Sequence, residues 1–190
     1  MTEDLIDVYK NSQKLMPLVH LPVQSGSDKI LKLMNRKHTI KDYFYIFEKL
    51  KNINNKIEFS SDFIVGYPGE QEDDFKNTLT LIEKINFINS YSFIFSARPG
   101  TVAFDLELID KRILMQRLEN IQTKLYGNQI NRNKLFKNQT IEVLVENLTD
   151  DKTQTFGRSE HMTSVIFNGK KNDIGKIVQV KIKESNRNKL

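Results

Sequence analysis

The chain has 190 residues, 38% of them hydrophobic, and no cysteine, which excludes disulfides, cysteine nucleophiles and thiolate-held zinc or iron–sulfur centres within it. Its 29 Lys and Arg outnumber 24 Asp and Glu, and the net charge of +5 favours a polyanionic partner. No apolar run is long enough to cross a bilayer and the start, with Glu3 and Asp4, is acidic, so the sequence predicts a cytoplasmic protein with no membrane partner.

In chain order, "EDLIDVYKNSQKLM" reads as a short helix with Leu5, Ile6 and Tyr9 on one side. "LVHLPV" is a brief apolar strand that Pro22 ends, and "SDKILKLMNR" a helix with Ser27 as its N-cap. Thr39 and Asp42 form a capping-box pattern ahead of "IKDYFYIFEKLKNI". "KIEFSSDFIVGYPGE" is a second strand and its exit loop, punctuated by Gly66, Pro68 and Gly69. "EQEDDFKNTLTLIEKI" carries acid in its first turn, as the helix dipole favours, and turns Phe75, Leu79, Ile82 and Ile85 inward. "SYSFIFS" is a third strand with "ARPGT" as its loop, and a long helix follows from about Asp110 to Phe136.

Strand–helix alternation of this kind predicts a parallel sheet with right-handed crossovers. Three units cannot close an eight-stranded barrel, so they form either a small open sheet or the later part of a larger barrel. After Phe136 the texture changes to short β-rich runs, "TIEVLVEN", "TSVIFNG" and "KIVQVKIKES", which suit a small antiparallel barrel. The predicted domains are therefore 1–136, α/β, and 137–190, all-β.

In parallel α/β folds the working residues gather where strands end. Here the three ends offer Gln24, Ser25 and Ser27, then Asp62 with "GYPGE", then Ser96, Arg98 and Gly100. Singly, each has a plain structural reading as turn or cap chemistry. His20, His38 and His161 lack metal-ligand spacing and are read as non-catalytic, and no Ser-His-Asp set or phosphate loop can be assembled. The long helix carries Lys111, Arg112, Arg117, Lys124, Arg132, Lys134 and Lys137 against Glu119 alone, a stripe that reads either as an RNA-facing surface or as a solvated face.

Together, "HLPVQSGSDKILKLMNRKHT", "SSDFIVGYPGE" and "SYSFIFSARPGT" resemble the radical S-adenosylmethionine methylthiotransferases, closest to the branch that makes 2-methylthio-isopentenyladenosine in tRNA. The tail, with "GRSEHMTSVIFNG" and "IGKIVQVKI", resembles the TRAM domain. The resemblance implies the C-terminal half of a radical SAM, partial TIM-type, parallel barrel followed by a small OB-like TRAM barrel that stops short of its last strand. It implies S-adenosyl-L-methionine as cofactor, held by Gln24, Ser25, Arg36, Asp62, Phe95 and Ser96. A guanidinium suits the methionine carboxylate, and an amide and a carboxylate suit the ribose hydroxyls and the amino group. It also implies a tRNA anticodon stem-loop as partner, gripped by Arg98, Lys124, Arg132, Lys134 and Arg158.

The family reaction adds a methylthio group to carbon 2 of isopentenyladenosine beside the anticodon. It uses two [4Fe–4S] clusters, and this cysteine-free chain ligates neither. No residue here is therefore expected to be catalytic, and the chain alone is expected to be inactive. The expectation is of a fragment, with a separate polypeptide carrying the other half as one partner. The alternatives are a non-enzymatic tRNA-binding remnant, or a methylthiotransferase for another target such as a ribosomal protein or a different modified adenosine.

Overall fold

A computed structural model describes residues 1–12 and 14–190. The chain divides within one long helix, so that Val19–Leu125 with the first residues form one unit, and Tyr126–Leu190 with the segment just before the first strand form another.

The first unit is mixed α/β. In order it contains α1 (Glu3–Asn11), β1 (Leu18–His20), α2 (Asp28–Leu33), α3 (Ile40–Ile53), β2 (Glu58–Ser60), β3 (Asp62–Val65), α4 (Glu72–Ile85), β4 (Tyr91–Ile94) and most of α5 (Lys111–Lys134). The helix predicted at the start ends at Asn11; position 13, within that predicted span, lies outside the described residues. The predicted caps form. Ser27 Oγ accepts from the Ile30 amide, and Thr39 and Asp42 close a reciprocal capping box in which each satisfies an otherwise orphaned amide.

The strand predicted over "KIEFSSDFIV" is two strands. Ser61 interrupts it, because its hydroxyl accepts the Val23 amide at 2.9 Å and donates to the Leu21 carbonyl at 2.9 Å. Side-chain bonds thus replace the ladder for one residue. β1 pairs with β2, a parallel bridge joins Gln24 to Phe63, and β3 runs parallel to β4 with Asp62 opposite Tyr91 and Ile64 opposite Phe93. Phe59, Phe63 and Phe87 are fully buried, with the Phe63 and Phe87 rings 5.2 Å apart, edge to face. Each such ring contributes about 1.5–3 kcal/mol by leaving water. Leu50, Ile82 and Ile121 close the same core from α3, α4 and α5, leaving the strand exits to carry polar groups.

The second unit is a four-stranded antiparallel sheet ordered β7-β6-β5-β8, from β5 (Thr140–Leu148), β6 (Thr155–Ser159), β7 (Ser164–Phe167) and β8 (Ile177–Lys181). β6, "TFGRS", is not among the strands predicted above because glycine and small polar residues carry little strand signal. Gly157 is needed there: a Cβ would lie 2.4 Å from the Leu144 carbonyl oxygen of the paired strand. Val143, Val165, Ile182 and Leu190 form its core with Phe136. Asn133, fully buried on the last turns of α5, donates to the Asn186 carbonyl at 2.7 Å, which ties those turns to the sheet's C-terminal segment.

Candidate functional site

The exit of β1 is polar and tightly held. Gln24 has φ of 72°, a left-handed conformation that costs a non-glycine residue roughly 1–3 kcal/mol and clusters at functional sites. Its main chain is locked to β3, the amide donating to the Asp62 carbonyl at 3.0 Å and the carbonyl accepting from Ile64 at 2.9 Å. Its side-chain amide makes no hydrogen bond among the described residues, although the residue is only 6% exposed. Gln24 and Asp62, two of the predicted cofactor contacts, are therefore adjacent across the β1–β3 junction.

Ser25 and Ser27 are engaged internally. Ser25 Oγ lies 3.4 Å from Thr78 Oγ1 and accepts from the Ser27 amide at 3.2 Å. Ser27 Oγ donates to Asp74 Oδ1 at 2.6 Å, and the Gly26 amide donates to Thr78 Oγ1 at 2.9 Å. A Cβ at Gly26 would stand 2.5 Å from Thr78 Cα, so only glycine lets the loop sit this close to α4. Asp74 collects Ser27, Lys29 Nζ at 2.7 Å and the Gln71 amide at 2.9 Å. Burial pushes its carboxyl up, but these donors outweigh burial and hold it below the ordinary aspartate range. Ser25, expected beside the cofactor, and the capping Ser27 thus both anchor the loop that presents Gln24.

Asp62 pairs with His20, Nε2 to Oδ2 at 3.5 Å, while His20 Nδ1 lies 2.8 Å from Ser60 Oγ. Arg36 sits just past α2, where Asn35 adopts φ of 55° and the Arg36 amide returns to the Leu31 carbonyl at 2.9 Å, a Schellman stop. Its exposed guanidinium makes no ion pair or hydrogen bond among the described residues, to Gln24 or Asp62 included. The Phe95 amide extends the ladder to the Val65 carbonyl at 2.8 Å, and its ring meets Tyr67 edge to face at 4.9 Å. Ser96 and Arg98 follow in the exposed loop.

An ion pair that sequence reasoning missed locks the β3 exit. Glu70, the acid of "GYPGE", accepts from the Gly66 amide at 3.1 Å and from Arg117 Nη1 at 2.6 Å, with both side chains buried. Burial dominates the Glu70 carboxyl and raises it despite the amide and the guanidinium. Arg117 accordingly leaves the exposed basic stripe in which it was placed: it is 7% exposed and lies over the Phe75 ring at 5.3 Å. The signal was available, since Arg117 falls between Leu114 and Ile121 at helical spacing on the core face.

The predicted RNA contacts divide the same way. Lys124 is paired with Glu83, and Arg158 with Glu146 at 3.3 Å and the Met162 carbonyl at 3.2 Å. Arg132 lies 4.3 Å over the Phe136 ring. The Arg98 and Lys134 side chains are in no ion pair among the described residues, and both residues are exposed. No helix of the described residues is long and apolar enough to cross a membrane, and no group of three His, Cys, Asp or Glu among them could hold a metal ion.

Residues 1–82 match the Radical SAM superfamily and residues 134–190 the TRAM domain. Three relatives, each named tRNA-2-methylthio-N(6)-dimethylallyladenosine synthase, align along the chain. The protein of Pelagibacter ubique (strain HTCC1062) is 65% identical over 190 residues, covering 100% of this chain and 43% of itself. That of Neorickettsia sennetsu (strain ATCC VR-367 / Miyayama) is 45% identical over 185 residues, 97% of this chain and 39% of itself. That of Buchnera aphidicola subsp. Acyrthosiphon pisum (strain APS) is 46% identical over 198 residues, 100% of this chain and 44% of itself. The chain thus spans about two-fifths of the length of these relatives. Both domain models match in order, and the identity to these relatives is sustained from end to end of the chain.

Proposed function

We propose that this chain is the cofactor- and tRNA-holding part of a cytoplasmic methylthiotransferase that adds a methylthio group to carbon 2 of dimethylallyladenosine beside the tRNA anticodon. The observation that carries this reading is the 65% identity, along the whole chain, to a synthase so named. On this reading residues 1–136 are part of a radical SAM barrel, with β1, the interrupted β2–β3 strand and β4 as three consecutive barrel strands, and residues 137–190 are an OB-like TRAM barrel. The TRAM match beginning at residue 134 supports that boundary.

The donor set fits S-adenosylmethionine. An amide with no hydrogen-bond partner among the described residues (Gln24), a half-buried carboxylate (Asp62) and an unpaired guanidinium (Arg36) match its hydroxyl, ammonium and carboxylate groups. Phe95 and Ser96, continuing the sheet edge past β4, line the adenine side, and Ser25 acts through the loop it anchors. When bound, the cofactor supplies the hydrogen-abstracting radical and the methyl group. The chain's own part is to orient it and to exclude water, which the rigid Gln24 backbone and the Glu70–Arg117 clasp favour. A [4Fe–4S] cluster does not fit the residues present, because the chain offers no thiolate.

Of the predicted RNA contacts, Arg98 and Lys134 make no ion pair among the described residues and are exposed to meet phosphate, with Arg132, Lys124 and Arg158 available if their present partners are exchanged for RNA. The absence of cysteine favours a second reading, in which the chain binds tRNA without catalysis, alone or beside a polypeptide that carries the clusters. Titrating the chain with S-adenosylmethionine by calorimetry, and with an anticodon stem-loop by fluorescence anisotropy, tests both. Binding of both ligands supports the first reading and RNA binding alone the second; binding of neither removes both.

A further inference from the structure

The core face of α4 buries Phe75, Leu81, Ile82 and Ile85, and with them Thr78. Thr78 is only 3% exposed and stands in mid-helix, where a β-branched hydroxyl residue is a poorer helix former than leucine. A buried hydroxyl is also costly unless its hydrogen bonds are made. Such a departure from the pattern of its own helix marks a residue kept for something other than the core.

The Thr78 hydroxyl uses its whole bonding capacity. Its proton goes to the Asp74 carbonyl at 3.3 Å, one turn back on α4. Its lone pairs face the Gly26 amide at 2.9 Å and the Ser25 hydroxyl at 3.4 Å. Ser25 and Gly26 are the residues that follow Gln24, whose φ of 72° is strained for a residue with a side chain. Gln24 is thus held from two sides. Its own main chain is bonded to β3 at Asp62 and Ile64, and the residues after it are bonded to α4 through a single oxygen. A strained backbone persists only where its surroundings over-determine it, and Thr78 supplies the second hold.

We infer that Thr78 is a positioning residue for the cofactor: its hydroxyl keeps Gln24 in the left-handed conformation that presents the side-chain amide to S-adenosylmethionine. The inference rests on the reading above, in which Gln24 contacts the cofactor, and adds a residue that acts only through Gln24. Without the oxygen, the buried Gly26 amide loses its acceptor and the loop relaxes towards an ordinary backbone at Gln24.

The test is a thermodynamic cycle on the full chain, with S-adenosylmethionine affinity read by calorimetry. Thr78→Val, which keeps the shape and removes the oxygen, is expected to weaken binding about fivefold, the scale of one hydrogen bond. Thr78→Ser, which keeps the oxygen, is expected to bind within about twofold of the unaltered chain. In a Gln24→Ala background, itself weakened, Thr78→Val is expected to cost nothing more. A merely structural role would lower affinity equally in both backgrounds, so an equal loss overturns the inference. Full affinity in Thr78→Val beside a weakened Gln24→Ala overturns it too, while leaving the cofactor reading standing. If the valine variant does not fold, Thr78→Ser decides: retained affinity upholds the inference, and a loss as large as that of Gln24→Ala overturns it. An unaltered chain that does not bind S-adenosylmethionine removes the cofactor reading and this inference together.

Discussion

Glu70 and Arg117 are 47 residues apart in sequence and 2.6 Å apart in space, a buried ion pair that ties the exit of β3 to the start of α5. Through its second bond, to the Gly66 amide, Glu70 fixes the loop directly after the strand that carries Asp62. A single pair thus joins folding of the sheet to placement of the site.

Removing one partner leaves the other charge buried and alone. Arg117→Met is expected to destabilise the first unit by about 3–5 kcal/mol, read from urea unfolding. It should also change the pH profile. The Glu70 carboxyl is raised by burial, and a raised acid favours the folded state when protonated. Its contribution is therefore greatest below the ordinary glutamate value of 4.5 and falls as pH rises through the higher folded value. In Arg117→Met the loss of stability should be larger at pH 7 than at pH 4; equal losses would show that Glu70 does not need the guanidinium.

Asp74 behaves in the opposite sense. Its carboxyl is depressed, so its contribution is complete above the ordinary value of 3.8 and disappears as pH falls through the lower folded value. Asp74→Asn is expected to cost about 1–3 kcal/mol at neutral pH and to flatten the acid limb of a thermal-melt series. An unaltered acid limb would place that titration elsewhere.

Gly26→Ala forces a methyl group against the backbone of α4 at Thr78. The expected cost is about 1–3 kcal/mol, as for overpacking elsewhere, together with weaker S-adenosylmethionine binding because Gln24 shifts with the loop. Calorimetry alongside melting separates the two effects. Full affinity in a destabilised variant would mean that the loop anchors the fold without positioning Gln24.

Arg36→Ala removes a side chain that has no structural partner among the described residues. Stability should hold within about 0.5 kcal/mol, as for an ordinary surface change. S-adenosylmethionine affinity should fall by about 1.5–3 kcal/mol, the range for a bond to a charged group. Unchanged affinity in calorimetry would take Arg36 out of the site.

The cations should also separate by their present partners. Neutralising Arg98 and Lys134 is expected to reduce the salt slope of RNA binding by about 0.7 for each single-strand phosphate that is no longer neutralised. Neutralising Lys124 and Arg158, already paired with Glu83 and Glu146, should reduce it less. Equal effects in a salt titration would show that those pairs open on binding.

What the sequence determined by itself is local. The Thr39–Asp42 box, the Ser27 cap, the turn at "GYPGE" and the alternation of strands and helices each depend on residues a few positions apart, where chain geometry leaves few options. The three long motifs were likewise legible, and they lie in a chain that is 65% identical from end to end to one of its relatives. Tertiary structure decided which polar groups were spent inside. Ser27 found Asp74 and Ser25 found Thr78 from about fifty residues away, Arg117 turned inward to Glu70, and Ser61 broke a strand that its neighbours would have continued. A buried donor takes whatever acceptor packing brings to it, so its partner is set by how helices lie on the sheet and not by its neighbours in the chain.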